Sequence, residues 1–425
     1  MRFETLDQWL AWQETLHPSA IDLGLERPGR VLQALGLATP SHRVITVAGT
    51  NGKGSSVAML ESILLAAGYR VGSYTSPHLL RYNERIRLNG AAVEDARICA
   101  AFARIDAARG DTSLTYFEFG TLAALQIFAE ADLDVAVLEV GLGGRLDAVN
   151  LLDADVALIT AIDVDHAAWL GDSREVIAVE KAGIMRPQRP AVCSDPQPPQ
   201  SLIEHAHTRQ AVLYCLGNNF DYRSQQDGWA YEDEQGPLPG LPRPALVGQM
   251  QLQNAAGVIR ALRCLGDTLP VNTQAIRQGL LSVSLPGRLQ RLPGIPEVIL
   301  DVAHNPQSAQ ALADNLAAMP CAGRSLAVVG MLADKDIASV LRIMAPAIDD
   351  WFLAGLDVWR GADCDTLVAA LEGEGIGPYR CHLSVTEALA TAREQAGEQD
   401  RIIVFGSFHT VAEALAEPGG HGHAL

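Results

Sequence analysis

The sequence predicts an α/β protein in two domains, an N-terminal parallel-sheet domain over residues 1–290 and a smaller, Rossmann-like α/β domain over residues 291–425. Three observations predict it. Between residues 44 and 67 an apolar β-branched run gives way to a glycine-rich loop and then to a helix-like segment. Farther along, short apolar runs alternate with amphipathic stretches, the pattern of a parallel sheet with right-handed crossovers. A stretch at 284–296 then has the Pro/Gly punctuation of a linker, and a second strand–helix series follows it.

Taken in order, the chain opens with a helix over 6–16 and a second short one over 31–37. Val44, Ile45, Thr46 and Val47 make the first strand, followed by Gly49, Thr50, Asn51, Gly52, Lys53, Gly54 and Ser55, and a helix runs over 57–67. Such a loop binds phosphate. Glycines let backbone N–H groups turn inward, the helix start adds partial positive charge, and the lysine adds a full one. It departs from GxxxxGK[ST]: Val47 stands where the first glycine belongs, Gly54 follows Lys53, and the nearest hydroxyl is Ser55. A P-loop-type parallel-sheet ATPase domain is the reading, although glycine–lysine turns also occur in α/β proteins without nucleotide.

A strand over 70–75 ends in Ser76, Pro77 and His78, and a basic stretch with Arg81, Arg85 and Arg87 follows. Helices over 94–108 and 115–130 precede an apolar strand at 134–139 and a loop rich in glycine at 140–147. The strand over 156–162 ends in Asp163, Val164, Asp165 and His166, and Ser173 is placed to cap a helix ending near 181–183. Residues 187–245 turn richer in Pro and Gly, with short peripheral strands expected around 220–231. Helices over 251–265 and 272–281 come before the linker, and strands over 298–301, 326–330, 351–354 and 402–405 after it. The tail at 417–425 reads as disordered, and its two histidines are too few for a metal tract.

Composition excludes some classes. A net charge of −18 argues against general binding to nucleic acid or an anionic membrane, so any anionic ligand must meet local positive charge. No apolar run is long enough to span a bilayer, and the first residues mix charges with tryptophans rather than forming an apolar leader. Seven cysteines stand singly with no CxxC pair, which reads as reduced thiols in a cytoplasmic protein.

Ligands of open α/β sheets sit outside the carboxyl ends of the strands. Lys53, Ser76, Glu139 and His166 each stand just past a predicted strand, so four strands deliver an ammonium, a hydroxyl, a carboxylate and an imidazole to one edge. Glu139 is placed as a Walker-B-like carboxylate for Mg²⁺. Each group has a plainer reading: a turn-capping acid at Glu139, a backbone hydrogen bond at His166, turn chemistry at Ser76, and a solvated pair of Lys181 with Glu180. Asp301 and His304 read equally as an N-cap and a turn before a helix beginning at Pro306. The residues alone lead to a Mg–nucleotide site between two α/β domains and do not name the second substrate.

Several stretches resemble the bifunctional dihydrofolate synthase/folylpolyglutamate synthase family, a branch of the Mur ligase superfamily. They are IDLGLER (21–27), VAGTNGKGS (47–55), YTSPHL (74–79), YNERIR (82–87), TYFEF (115–119), LEVGLGGRLDAVN (138–150), ITAIDVDH (159–166), EKAGIM (180–185), LPGR (285–288), DVAHNP (301–306) and FGSFHTV (405–411). They follow the family's order over nearly the whole chain, with 187–245 the poorest match, and the shorter glycine–lysine loop of that superfamily accounts for the departures noted above.

The resemblance implies an ATP-driven amide ligase that makes an acyl phosphate on a pterin-linked carboxylate and then joins L-glutamate to it. The implied acceptors are dihydropteroate and reduced folate. It implies that Gly49 to Ser55, with Lys53, hold the phosphates, that Asn254, Arg288 and Asp301 add further ATP contacts, the last two across the domain gap, and that His304 assists at the phosphates. It implies two Mg²⁺ sites from Ser76, Glu139, His166 and a carbamoylated Lys181. Ala20, Ile21, Asp22 and Leu23, then Thr115, Tyr116, Phe117 and Glu118, then Leu146, Asp147 and Ala148, would line the pterin, and Ser407 the glutamate. A cytoplasmic monomer acting on small molecules, with no nucleic acid or membrane partner, is expected. Three alternatives stay open at this point: a single-activity folylpolyglutamate synthase, a muramyl-peptide ligase, and a P-loop regulator without ligase chemistry. Against the second, only about forty residues precede Val44, too few for a nucleotide-sugar domain. Against the third, no guanine-reading NKxD occurs.

Overall fold

Strand β1 (Arg43–Ala48) holds the centre of the first sheet, its residues after Arg43 all buried. Around it run β2 (Val71–Tyr74), β3 (Ile86–Leu88), β4 (Ala91–Ala92), β5 (Val135–Glu139), β6 (Val156–Ile159), β7 (Pro190–Cys193) and β8 (Val212–Cys215). Their order is β4-β3-β2-β5-β1-β6-β7-β8. The pairs from β2 to β8 are parallel, and β3 and β4 add an antiparallel edge from the basic stretch after Ser76. The computed structural model describes residues 2–416, so the expectation for the tail at 417–425 lies outside the described residues.

Apolar side chains explain why this sheet is covered on both faces. The helix Lys53–Ala66 buries Val57, Leu60, Ile63 and Leu64, each contributing roughly 1.5–3 kcal/mol. Its outer side meets the helix Thr273–Ser282, where Ser62 Oγ donates to the Gly279 carbonyl at 2.9 Å. The helix Tyr116–Ala129 is buried along nearly its whole length and begins with a capping box of Thr115 and Glu118. Ser173 caps Arg174–Ala182 as the sequence expects. The region at 187–245 holds β7, β8 and a separate antiparallel sheet of β9 (Phe220–Gln225), β10 (Gly228–Asp233) and β11 (Leu238–Leu241).

The chain divides into two units, Met1–Ala245 with Gln251–Ser284, and Leu246–Met250 with Leu285–Leu425. The second unit has its own sheet: β12 (Gln290–Leu292), β13 (Glu297–Leu300), β14 (Ser325–Val329), β15 (Asp350–Ala354), β16 (Tyr379–His382) and β17 (Arg401–Phe405). The order is β12-β13-β17-β14-β15-β16, parallel except for β12. Its core is Ile299, Val329, Met331, Trp351, Ile403 and Phe405 with the apolar faces of the flanking helices.

One expectation is corrected here. Cys364 and Cys381 form a disulfide with Cα atoms 6.1 Å apart, so the cysteines are not all free thiols. The single spacing hid the pair, because the helix Cys364–Gly373 and strand β16 meet only in the folded unit. Among the described residues no helix is long and apolar enough to cross a membrane.

Candidate active site

The four central strands β2, β5, β1 and β6 end at one edge, and their loops carry the groups that the sequence singled out. After β1 the chain turns through Gly49 to Gly52, and the helix starts at Lys53 with Gly52 as its N-cap. Gly52 has φ +91°, a conformation open to glycine, and a Cβ there would lie 2.5 Å from Asn254 Oδ1. At Gly49 a Cβ would lie 1.8 Å from Thr160 Oγ1. Thr160 explains that close approach. Its hydroxyl donates to the Asn51 carbonyl at 2.7 Å, while Thr50 N donates to the Ala161 carbonyl at 2.8 Å. The loop is thus pinned to the end of β6 before any ligand arrives.

Lys53 Nζ curls back to donate to the carbonyls of Gly49 (3.0 Å) and Thr50 (3.1 Å). Ser55 is buried and lies 3.4 Å from Gln251 Nε2, and Gln251 in turn accepts from Asn254 Nδ2 at 3.2 Å. Asn254 Oδ1 is buried with no hydrogen-bond partner. A buried acceptor beside the loop glycine, left unsatisfied, fits a site built to meet a ligand donor.

Glu139 closes β5 opposite Val47 in register, 5 % exposed, and its Oε2 accepts from Ser76 N at 3.3 Å. That carboxylate thus ties the end of β5 to the chain just past β2, beside the end of β1. His166 has φ +53°, and its backbone N donates to Asp165 Oδ1 at 2.7 Å. Lys181 overturns the solvated-pair reading. It is 3 % exposed, while Glu180 pairs with Arg145 at 2.8 Å. Burial first, then the nearby Lys53 charge, lowers its amine to about 7 against the pull of Asp165 and Asp147. Asp147 is buried and raised to about 6, although Leu142 N (2.8 Å) and Val149 N (2.9 Å) donate to it.

Among the described residues no group of three or more His, Cys, Asp and Glu could hold an ion alone. One strand-end carboxylate with a neighbouring seryl group and the phosphate-binding loop still fits Mg²⁺, which takes one or two carboxylates plus phosphate oxygens and water.

Farther along the same unit, residues 20–23 and 115–118 meet through Arg27. Its Nη1 lies 2.6 Å from Asp22 Oδ2, and its Nη2 donates to Glu118 Oε1 at 2.9 Å. Asp22 therefore pairs with side chains rather than forming an ordinary Asx-turn. Phe117 brings the tip of its ring against the loop at Gly141, where a Cβ would lie 2.5 Å from it, and its ring centroid is 6.1 Å from that of Tyr74. Tyr116 lies near Arg85, 5.6 Å from the guanidinium carbon to the ring centroid. Ala20, Ile21 and Leu23 are at least partly open, and Leu146 and Ala148 flank buried Asp147.

In the second unit Asp301 follows β13 and accepts from Leu289 N (2.9 Å) and Ala303 N (2.8 Å). Burial raises its carboxyl, offset chiefly by the Arg288 charge. The cap of the helix Pro306–Ala318 is Asn305, not Asp301. His304 Nδ1 lies 2.8 Å from the Val302 carbonyl, and Arg288 sits over the Phe408 ring. Ser407 is buried, its hydroxyl 2.7 Å from Thr410 Oγ1 and accepting from Thr410 N at 3.0 Å, which commits it to the start of the helix Phe408–Ala416.

Sequence reading missed Thr160, Asp165, Gln251, His17 and Arg27. Asp165 was visible as the neighbour of His166. The others have at least one partner far away in the chain, Asn51 for Thr160, Ser55 for Gln251, Ser113 for His17 and Glu118 for Arg27, and that pairing carries no local signal.

Comparison with known proteins matches residues 47–261 to the Mur ligase middle domain and residues 287–408 to the Mur ligase glutamate ligase domain. The dihydrofolate synthase/folylpolyglutamate synthase of Escherichia coli (strain K12) is 48 % identical over 410 residues, covering 96 % of this chain and 94 % of that one. The structure of E. coli FolC in complex with DHPP and ADP matches with a TM-score of 0.92 at 48 % identity, over 97 % of both chains. A bifunctional folylpolyglutamate synthase/dihydrofolate synthase with Mn, AMPPNP and L-glutamate bound matches with a TM-score of 0.91 at 47 % identity, over 97 % of this chain and 98 % of that one. The chain belongs to the dihydrofolate synthase/folylpolyglutamate synthase family of Mur ligases.

Proposed function

We propose that this chain is an ATP-dependent ligase that joins L-glutamate to dihydropteroate, making dihydrofolate, and to reduced folates, lengthening their glutamate tail. The observation that carries it is the contact of Ser76 with Glu139 at the ends of neighbouring central strands and the buried Lys181 close enough to feel the Lys53 charge, in a chain whose relatives bind ADP, DHPP and L-glutamate. A carboxylate is a poor electrophile until one of its oxygens becomes a phosphate leaving group. The acceptor carboxylate attacks the γ-phosphorus and ADP departs. The glutamate amine then attacks the acyl carbon, phosphate departs and the nitrogen loses a proton. Neither step needs a covalent protein nucleophile, so the work falls to positioning and charge.

Lys53 and the N–H groups of Gly49 to Ser55 hold the β- and γ-phosphates, with Asn254, Arg288 and Asp301 as further nucleotide contacts and His304 assisting at the phosphates. Ser76, Glu139, His166 and Lys181 hold Mg²⁺, which when bound neutralises charge on the phosphoryl group. Lys181 serves this role as a carbamate: its neutral amine bonds to the carbon of CO₂ and sheds a proton, turning a cation into an anion. An amine held near 7 is partly neutral at physiological pH, which an ordinary lysine is not. Residues 20–23, 115–118 and 146–148 border the pterin. Ser407, buried at the start of the helix Phe408–Ala416, is the candidate for the glutamate site. We read the protein as a cytoplasmic monomer acting on small molecules.

The purified chain is expected to release ADP only when glutamate and either acceptor are both present. Turnover with tetrahydrofolate but none with dihydropteroate would make it a single-activity folylpolyglutamate synthase. Release of ADP that ignores glutamate would remove the ligase reading.

A further inference from the structure

The segment at 17–25 has no regular secondary structure and leads straight into the helix Glu26–Ala34. What fixes it is one guanidinium. Arg27 Nη1 lies 2.6 Å from Asp22 Oδ2, and Arg27 Nη2 donates to the Asp22 carbonyl at 3.1 Å and to Glu118 Oε1 at 2.9 Å. Glu118 uses its other oxygen to accept from Thr115 N at 2.7 Å, the capping bond that starts the helix Tyr116–Ala129. Asp22 Oδ2 has a second neighbour in His17 Nε2 at 3.1 Å, whose Nδ1 lies 3.0 Å from Ser113 Oγ. Two stretches about ninety residues apart in the chain are thereby locked to each other through side chains alone.

The Asp22 side chain stays 40 % exposed, whereas that of Glu118 is 5 % exposed. The buried end of the lock is structural and the open end faces outward, still offering acceptor capacity. A planar fork that spans both ends sets where the open carboxylate stands.

We propose that Arg27 is a positioning residue for the acceptor substrate, holding Asp22 at a fixed distance from the start of the Tyr116–Ala129 helix. The inference rests on the reading that residues 20–23 and 115–118 border the pterin. It adds that the pocket's entrance is preorganised by a residue that need not touch the pterin itself.

Steady-state turnover of the full chain tests it, with the unsubstituted protein, Arg27→Met, Arg27→Lys, Asp22→Ala and the double variant Asp22→Ala/Arg27→Met. Arg27→Met is expected to raise KM for dihydropteroate about fivefold to tenfold while leaving KM for ATP and glutamate within about twofold. Arg27→Lys recovers only part of the loss, because one ammonium cannot reproduce a fork reaching three oxygens. The double variant is expected to be no worse than Asp22→Ala alone, since Arg27 acts through Asp22. Unchanged KM for dihydropteroate in Arg27→Met overturns the proposal. So does an equal rise in all three KM values with a lowered melting temperature, the mark of a merely structural arginine. Full additivity in the double variant overturns it as well. Should Arg27→Met fail to fold, Arg27→Lys carries the same comparison. If the unsubstituted protein shows no saturable turnover with dihydropteroate, the pocket reading fails and takes the proposal with it, a result distinguishable because no variant is needed to see it.

Discussion

The nucleotide edge and the acceptor wall lie in one unit and are built on opposite principles. At the edge, backbone does most of the work: Gly49 and Gly52 shape a loop whose N–H groups and helix start attract phosphate, and Thr160 pins it to β6. At the wall, irregular chain is held by side chains reaching across the fold, Arg27 to Asp22 and Glu118 above all. The first device tolerates no side chain at the glycines and relies on neutral contacts, such as that of Thr160, to hold its backbone in place. The second tolerates shape change in the loop but depends on a few charged contacts. A site of the first kind suits a ligand common to many enzymes, and one of the second kind suits a ligand that differs among relatives.

The largest effects should fall on the edge. Lys53→Ala and Glu139→Gln each remove a charged contact that strengthens as charge moves onto the transferring phosphoryl group. Losses of ~2.7–4 kcal/mol, about a hundredfold or more in turnover, are expected for each. Both variants should still unfold cooperatively near the normal temperature, because neither side chain anchors the core. Turnover within twofold of the unsubstituted protein for either would remove that residue's place in the nucleotide site.

Lys181→Arg comes next. Arginine keeps the positive charge and most of the volume but cannot become neutral, so it cannot take up CO₂. If the carbamate holds metal, turnover should fall about a hundredfold, the upper end of what losing such support brings. Full activity of Lys181→Arg would exclude the carbamate, as would an intact-mass and density analysis with nucleotide bound that finds a bare amine.

How the two regions are built also explains what was legible in the chain. Lys53, Ser76, Glu139 and His166 could be read because each follows a short apolar run, and a parallel sheet brings such positions to one edge whatever the strand order. Strand order itself was not legible: nothing local says that β5 lies between β1 and β2. The plainer reading of Lys181, a solvated pair with Glu180, fails because Arg145, thirty-five residues earlier, takes that glutamate. Arg27, Gln251 and the Cys364–Cys381 bond share the same obstacle. Each contact is made by tertiary packing between segments that carry no mutual pattern in sequence.

Gly52→Ala separates shape from charge at the edge. A left-handed residue other than glycine costs roughly 1–2 kcal/mol, and the new Cβ would also push on the Asn254 side chain. Chemical denaturation should register the first effect. Displacement of the loop by a fraction of an ångström should lower turnover by about tenfold to a hundredfold, more than the stability loss accounts for. A variant that loses stability but keeps its turnover would mean that the loop's shape is a folding requirement and not part of the phosphate site.

Asp22→Ala probes the wall and carries the smallest expected effect. It removes the open carboxylate of the lock and leaves Arg27 with Glu118, so the buried half survives and the protein should remain folded. Dihydropteroate lacks the glutamate tail and so offers the site fewer contacts than a folate does, and its KM should rise about tenfold. A reduced folate already bearing glutamate presents its carboxylate from a longer molecule and makes further contacts, so its KM should rise less. One γ-phosphate serves both acceptors, which means that kcat, once the site is saturated, should change little for either. The comparison between edge and wall then takes a kinetic form: edge variants lower kcat for both acceptors alike, and wall variants raise KM unequally. Equal losses for both acceptors in Asp22→Ala would mean that this carboxylate sets the shape of the whole site, and the distinction between the two regions would collapse.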